Sequence, residues 1–183
     1  YKDTRWKDHG LDEALKTRGL YDAEKVAIGS AVVPPAPPTK LPSAAAIAKL
    51  SGDAQRGATV AQSCQLCHRI GANGIEYAPD LTGFARRQTA EVVLGAILDP
   101  SADIAHGYEG TEITLKDGTV IHGLIQSAGN PVIVQSTGGV TQLIPAARIK
   151  SRTRLNRSLM LSADQLGLTA QNLADLLAYL KTQ

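Results

Sequence analysis

A mainly α-helical domain, interrupted by a small antiparallel β-sheet or barrel and preceded by a helical strap, is the fold class that this sequence predicts. Three observations predict it. Apolar residues recur at helical spacing at Val92, Val93, Ile97 and Leu98, and again at Leu173, Leu176, Leu177 and Leu180. From Gly110 the pattern changes to period two and β-branched residues. Ahead of both, Val33-Pro34-Pro35-Ala36-Pro37-Pro38-Thr39-Lys40-Leu41-Pro42 cannot sustain a helix and reads as a semi-rigid polyproline II spacer. The resulting division is an N-terminal extension over 1–29, a proline-rich linker over 30–42, and a main domain over 43–183 that carries the β insertion at 108–155.

Taken in order, Leu11 to Arg18 reads as a short helix that stops at Gly19, preceded by the only tryptophan, Trp6. A helix this short is marginal alone in water, so it is expected to pack, with Trp6, Tyr1 or Tyr21 as its contacts. Asp53 can cap a helix through Arg56, Gly57, Val60 and Ala61 to the cysteines, and Gly57 would let a second helix cross closely. Thr89 begins an amphipathic helix that Asp99-Pro100 stops. Glu112–Leu115, a Lys116-Asp117-Gly118-Thr119 turn and Val120–Ile125 read as a hairpin. Pro131–Ser136, a Gly138-Gly139 turn and Val140–Ile144 read as another, and Arg148–Leu155 as a fifth strand. Thr169 can cap the last helix, Ala170 to Leu180.

The chemistry is concentrated in Cys64-Gln65-Leu66-Cys67-His68. Two thiols separated by two residues can reach the two vinyl groups of a haem and form thioethers, and the adjacent histidine then falls under the iron. Cys64 and Cys67 are therefore the expected anchors of one covalent haem c, with His68 as axial ligand. A thioredoxin-type CxxC and half of a zinc site use the same cysteine spacing. The first should follow a strand in a βαβ pattern. The second needs further ligands, whereas the chain has only two cysteines and its other histidines, His9, His106 and His122, are scattered.

Composition is consistent with a haem. At 183 residues the chain has room for one good-sized domain, yet aromatic residues are only 4%, with one Phe and one Trp. A porphyrin would supply the missing apolar volume, so the chain without haem is expected to fold poorly. No stretch approaches the roughly 20 apolar residues of a membrane span. The net charge of +2 is too small to argue for nucleic acid. Covalent haem attachment takes place outside the cytoplasm, so a periplasmic or secreted protein is expected, and a chain beginning at Tyr1 reads as a processed or excised piece whose precursor carried an export signal.

Gly57 ahead of Cys64, CxxCH, Pro79 in Ala78-Pro79-Asp80-Leu81-Thr82-Gly83, and a terminal helix with Leu176 and Tyr179 resemble the class I c-type cytochromes. More narrowly, Pro79-Asp80-Leu81-Thr82-Gly83, Ile97-Leu98-Asp99-Pro100-Ser101, Gly107-Tyr108-Glu109, Leu115-Lys116-Asp117-Gly118 and Ser158-Leu159-Met160 resemble the haem-binding domain family described from planctomycete and verrucomicrobial proteins. That resemblance covers roughly residues 50–183. It implies a class I cytochrome c-like helical domain in which the terminal helix crosses the first near Gly57 and the Pro79 carbonyl accepts the Nδ1 proton of His68. Such a bond would fix the ring's tautomer and raise its basicity. It also implies placement at the end of a large secreted dehydrogenase-like protein.

Met160, the only methionine, stands shortly before the last helix, where class I cytochromes place the distal thioether. The ordinary role of a methionine is to fill a core gap; position and resemblance make this one the expected sixth ligand, with His106 and His122 as rivals. Leu161 replaces the family's usual proline, which predicts a freer loop. Arg148, Lys150, Arg152, Arg154 and Arg157 fall within ten residues without an acid and lead into Met160. They read as a solvated strand face, as contacts to haem propionates, or as a docking surface for an acidic redox partner.

The function expected is one-electron transfer by a monohaem c-type cytochrome with His/Met ligation, serving a redox protein such as a fused or associated dehydrogenase. Nothing resembles a catalytic acid/base constellation, so no enzyme activity is expected. Two alternatives stand beside it: a haem enzyme or gas sensor with a displaceable distal ligand, and an interaction module that uses the β insertion and keeps haem as a staple.

Overall fold

The computed structural model describes residues 40–183. The N-terminal helix, its aromatic contacts and most of the proline-rich linker lie outside them. Five α-helices and five strands follow in the order α1 (Ala44–Ile47), α2 (Ala54–Cys64), α3 (Phe84–Arg87), α4 (Ala90–Leu98), β1 (Thr111–Leu115), β2 (Val120–Ser127), β3 (Val132–Ser136), β4 (Val140–Ile144), β5 (Ile149–Arg154) and α5 (Ala170–Leu180).

The helices start where side-chain oxygens can answer their first free amides. Asp53 Oδ1 accepts from Arg56 N at 2.8 Å, and Thr89 Oγ1 accepts from Val92 N at 3.3 Å. Thr169 and Asn172 form a reciprocal capping box at α5. α5 then lies against α2 with almost no space between them. A Cβ on Gly57 would stand 2.0 Å from the Asp175 carbonyl oxygen, and one on Gly52 would stand 2.1 Å from that of Ala174. Leu173, Leu176, Leu177 and Leu180 bury their stripe in a core with Ile47, Ala61, Ile70, Val93 and Leu94.

Away from that stripe, on the side of α5 that meets α2, lies a buried charge. Asp175 is 2% exposed, and its carboxylate accepts from Arg56 Nε at 2.7 Å, Arg56 Nη2 at 2.8 Å, Asp53 N at 2.7 Å and Gln171 Nε2 at 2.9 Å. The bidentate Arg56 contact, ahead of the other donors, holds its carboxyl well below the usual range. The first turn of α2 and the middle of α5 are thus joined by charge as well as by packing.

The expectation of a mainly α fold of the class I cytochrome type is overturned by the strands. They form a five-stranded antiparallel sheet in the order β4-β3-β2-β1-β5. This sheet has its own core of Ile113, Leu115, Val132, Val134 and Ile144, separate from the helical one. The helices are short, none longer than eleven residues, and long irregular segments join them. The architecture is α+β, with a strand half that buries its own apolar face and is not an appendage of a helical domain.

The sheet curls. β4 and β5 occupy opposite edges, yet only Pro145 to Arg148 lies between them. Such a connection spans at most about 18 Å, while the outer strands of a flat five-stranded sheet would be about 19 Å apart. The connection is also held inward, with Ala146 N donating to Asn130 Oδ1 at 3.0 Å and Lys116 N to the Arg148 carbonyl at 2.9 Å. The result is a partly closed barrel whose entry and exit meet, since Leu155 N donates to Gly110 O at 2.8 Å.

Candidate functional site

The end of α2 carries the cysteines. Beyond Cys64 the chain continues its turn, with Cys67 N and His68 N both donating to the Cys64 carbonyl at 3.1 and 2.9 Å. Cys64 and Cys67, three residues apart on this turn, share a face. Both are free thiols and half-buried, and burial pushes the Cys64 thiol up, so it stays protonated at neutral pH. That disfavours the thiolate that a thioredoxin-type nucleophile requires.

The chain then doubles back along the motif. Tyr77 N and Ala78 N donate to the Cys67 carbonyl at 3.2 and 2.8 Å, and Leu81 N donates to the Arg69 carbonyl at 2.9 Å. These bonds set Pro79 opposite His68, and Nδ1–H of His68 donates to the Pro79 carbonyl at 2.7 Å. The reversal passes through Gly74 at φ +94°, where a Cβ would meet the His68 carbonyl oxygen at 2.0 Å. Thr82 Oγ1 accepts from Gly71 N at 2.9 Å, and Asp80 accepts from Thr82 N at 2.7 Å and Arg69 Nε at 3.0 Å. The Thr82 contacts, supported by Arg69, bring the Asp80 carboxyl down to about 2.

His68 is 8% exposed, and its burial, opposed by the bond to Pro79, lowers its pKa. The imidazole is therefore neutral near pH 7. With the proton held on Nδ1 by a carbonyl that can only accept, the lone pair is on Nε2.

Met160 reaches the same place from the other end of the chain. Ala163 N donates to the Ile97 carbonyl at 2.9 Å, Ser158 N to Ser101 Oγ at 3.1 Å, and Met160 N to Ser158 Oγ at 3.0 Å. The methionine segment is thereby tied to the end of α4 and the turn after it. Met160 is half-buried, and the following Leu161 is 50% exposed.

His68, Pro79 and Met160 line one cavity of about 660 Å³. Its wall is largely apolar, with much of α4, from Glu91 to Ile97, and Leu124 of the barrel contributing. Cys64 and Cys67 are not in the lining; they stand on the turn that leads into it. Three of the five residues selected from the sequence are thus brought to a common space, and the other two are within a turn of His68.

The rival histidines are elsewhere. His106 is fully exposed, 3.5 Å from Glu109, and His122 of β2 lies 3.0 Å from Glu112 of β1. Neither lines the cavity. His9 lies outside the described residues. Among the described residues, no three His, Cys, Asp or Glu side chains gather to hold a metal ion, so the further ligands of a zinc site are not found there.

The basic run is less uniform than its sequence suggests. Arg148 pairs with Asp117 and Arg154 with Glu109, each at 3.0 Å, and Arg157 donates to the Ser158 carbonyl at 3.2 Å. Lys150 and Arg152 have no acidic partner among the described residues. None of the five lines the cavity, whose charged lining residues are Glu91, Asp99 and Asp103.

Two site features escaped the sequence. Tyr77 lines the cavity at 5% exposure, and its hydroxyl has no hydrogen-bond partner among the described residues, although Thr137 of the β3–β4 turn is close by. Gly95 of α4 lines it without a side chain. Neither belongs to a motif, and only the folded chain sets them beside His68. No protein-family model matches the chain, and no curated protein matches it.

Proposed function

We propose that the protein is a one-electron carrier of the periplasm or the extracellular space, holding one haem c on Cys64 and Cys67 with His68 and Met160 as axial ligands. The observation that carries this reading is the meeting of His68 and Met160, 92 positions apart in sequence, at one apolar cavity directly after a CxxCH turn.

The residues fit such a group. A neutral imidazole nitrogen and a thioether are ligands suited to a haem iron. The volume of the cavity falls within the range of about 300–1,000 Å³ usual for cofactor sites. The two thiols precede His68 by four residues and one. The Tyr77 hydroxyl, buried at the cavity with Thr137 close by, makes no hydrogen bond within the described chain.

A bound haem would supply an iron that exchanges one electron between Fe(III) and Fe(II). The chain's contribution is to hold and shield. Pro79 keeps the proton on Nδ1 of His68 and so keeps Nε2 available in one orientation. Met160 would offer a second, neutral ligand, and a thioether there would favour the reduced metal and leave small molecules no ready access. The apolar wall limits water and therefore the solvent rearrangement that accompanies a change of charge. The electron partner in this reading is a redox protein, fused or associated, with dehydrogenase activity.

Absorption spectra of both redox states test the proposal. Thioether-shifted low-spin bands with a long-wavelength methionine–iron band are expected. A high-spin ferric spectrum would remove His/Met ligation, and a preparation without covalent haem would remove the reading altogether.

A further inference from the structure

Gly57 and Gly95 both lie inside helices, and the surroundings of the two differ. Gly57 faces the Asp175 carbonyl, where a Cβ has no room. At Gly95 a Cβ would meet nothing within 4 Å. Glycine is the poorest helix former after proline, so α4 gives up stability at Gly95 with no close contact within the described chain in return. The open space at Gly95 is the cavity itself.

Among the lining positions of α4 and its C-cap, Glu91, Val92, Gly95, Ala96 and Asp99 share one helical face, on which Gly95 and Ala96 leave the middle nearly bare, while Val93 and Ile97 line the cavity from the adjoining side. An independent observation comes from the same cavity. Tyr77 is more than nine-tenths buried there, with a hydroxyl that lacks any partner among the described residues. Buried hydroxyls are nearly always partnered. The bare stretch of helix leaves room that the polypeptide does not fill, and the Tyr77 hydroxyl borders the same cavity with Thr137 near it.

We infer that Gly95 is a positioning residue: it lets the α4 backbone lie against the flat face of the bound macrocycle, so that a side chain there would push the ring away from its place between His68 and Met160. The inference rests on the haem reading and narrows it, because it selects a planar group over a compact one of equal volume. Ala96 alone would not suffice, since neighbouring helix positions point about 100° apart.

The test uses the haem-loaded protein with Gly95→Ala and Gly95→Leu. Gly95→Ala is expected to weaken the long-wavelength methionine–iron band and lower Tm, although alanine is the better helix former. Gly95→Leu is expected to abolish the band and admit carbon monoxide to the reduced protein. An unchanged band in Gly95→Ala, with Tm raised by roughly 2–4 °C as helix propensity alone predicts, would overturn the inference. Gly95→Ala decides the matter even where Gly95→Leu fails to fold. Absence of covalent haem from the wild-type protein would instead sink the reading beneath it, and a pyridine haemochrome spectrum shows that separately.

Discussion

Replacing Gly57 by alanine should destabilise the protein even though it improves the local helix. The added Cβ would stand 2.0 Å from the Asp175 carbonyl oxygen and 2.8 Å from Tyr179 Cβ. Ordinary contacts lie at 3.4–4 Å, so α5 must retreat by more than an ångström. That helix carries Leu173, Leu176, Leu177 and Leu180 of the core, together with the Asp175 carboxylate that Arg56 grips. Overpacking of this kind costs about 1–3 kcal/mol, occasionally more, and alanine returns at most about 1 kcal/mol of helix propensity. With a displacement this large, the upper part of that range applies and the net loss is about 2 kcal/mol. For a chain of this size that lowers Tm by roughly 4–8 °C. Thermal unfolding followed by far-ultraviolet circular dichroism measures it directly. A Tm equal to or above that of the wild type would show that the crossing is looser than described and that propensity outweighs packing.

Other outcomes follow from the site and its supports. Asp175 and Asp80 have lowered carboxyl pKa values, so the stability they contribute is present above the unfolded carboxylate range and is lost as pH falls from about 4 through their folded values. The urea midpoint should drop over that interval, and Asp175→Asn should flatten part of the drop; an identical pH slope in the variant would exclude the Arg56–Asp175 pair as its source. Met160→Ala should remove the long-wavelength band and open the reduced protein to carbon monoxide, and an unaltered spectrum would mean that the thioether is not a ligand. Electron transfer to an acidic partner should slow with salt and with Arg152→Glu or Lys150→Glu, while Arg154→Glu should do less because Glu109 already offsets that charge. A rate indifferent to ionic strength would dismiss the basic strand as a docking surface.

Local signals were the legible ones. Asp53, Thr89 and Thr169 announce their helices because a cap acts within three residues. The strands announce themselves by period two, and their turns by Asp117-Gly118 and Gly138-Gly139. What failed was the weight given to each half. Periodicity locates strands but does not tell whether Ile113, Val132 and Ile144 close a core of their own, and that core is what makes the mainly α expectation wrong. Asp175 was illegible for a related reason. It stands off the leucine stripe, where the helical period predicts a solvated side chain, and its partner Arg56 is 119 positions away. α1 and α3 are four residues each, too short to show a period. Around the candidate site, CxxCH could be read from spacing, whereas the acids that offset Arg148 and Arg154 come from the turn after β1 and the segment before it, distant in sequence.

The hydrogen bond between Leu155 and Gly110 gives the barrel the status of a cassette. Its two ends are already side by side, so residues 111–154 can be excised and the cut bridged by a short turn without stretching α4 or the methionine segment. The helical half keeps its core in such a deletion, because the two clusters share no buried residue. The excised piece is below the size at which a lone hydrophobic core is dependable. The cavity would lose Leu124 from its wall in that deletion, so the barrel is a cassette for the core and not for the cavity: its turns can be exchanged or lengthened around a constant His68 turn only while β2 keeps Leu124 in place.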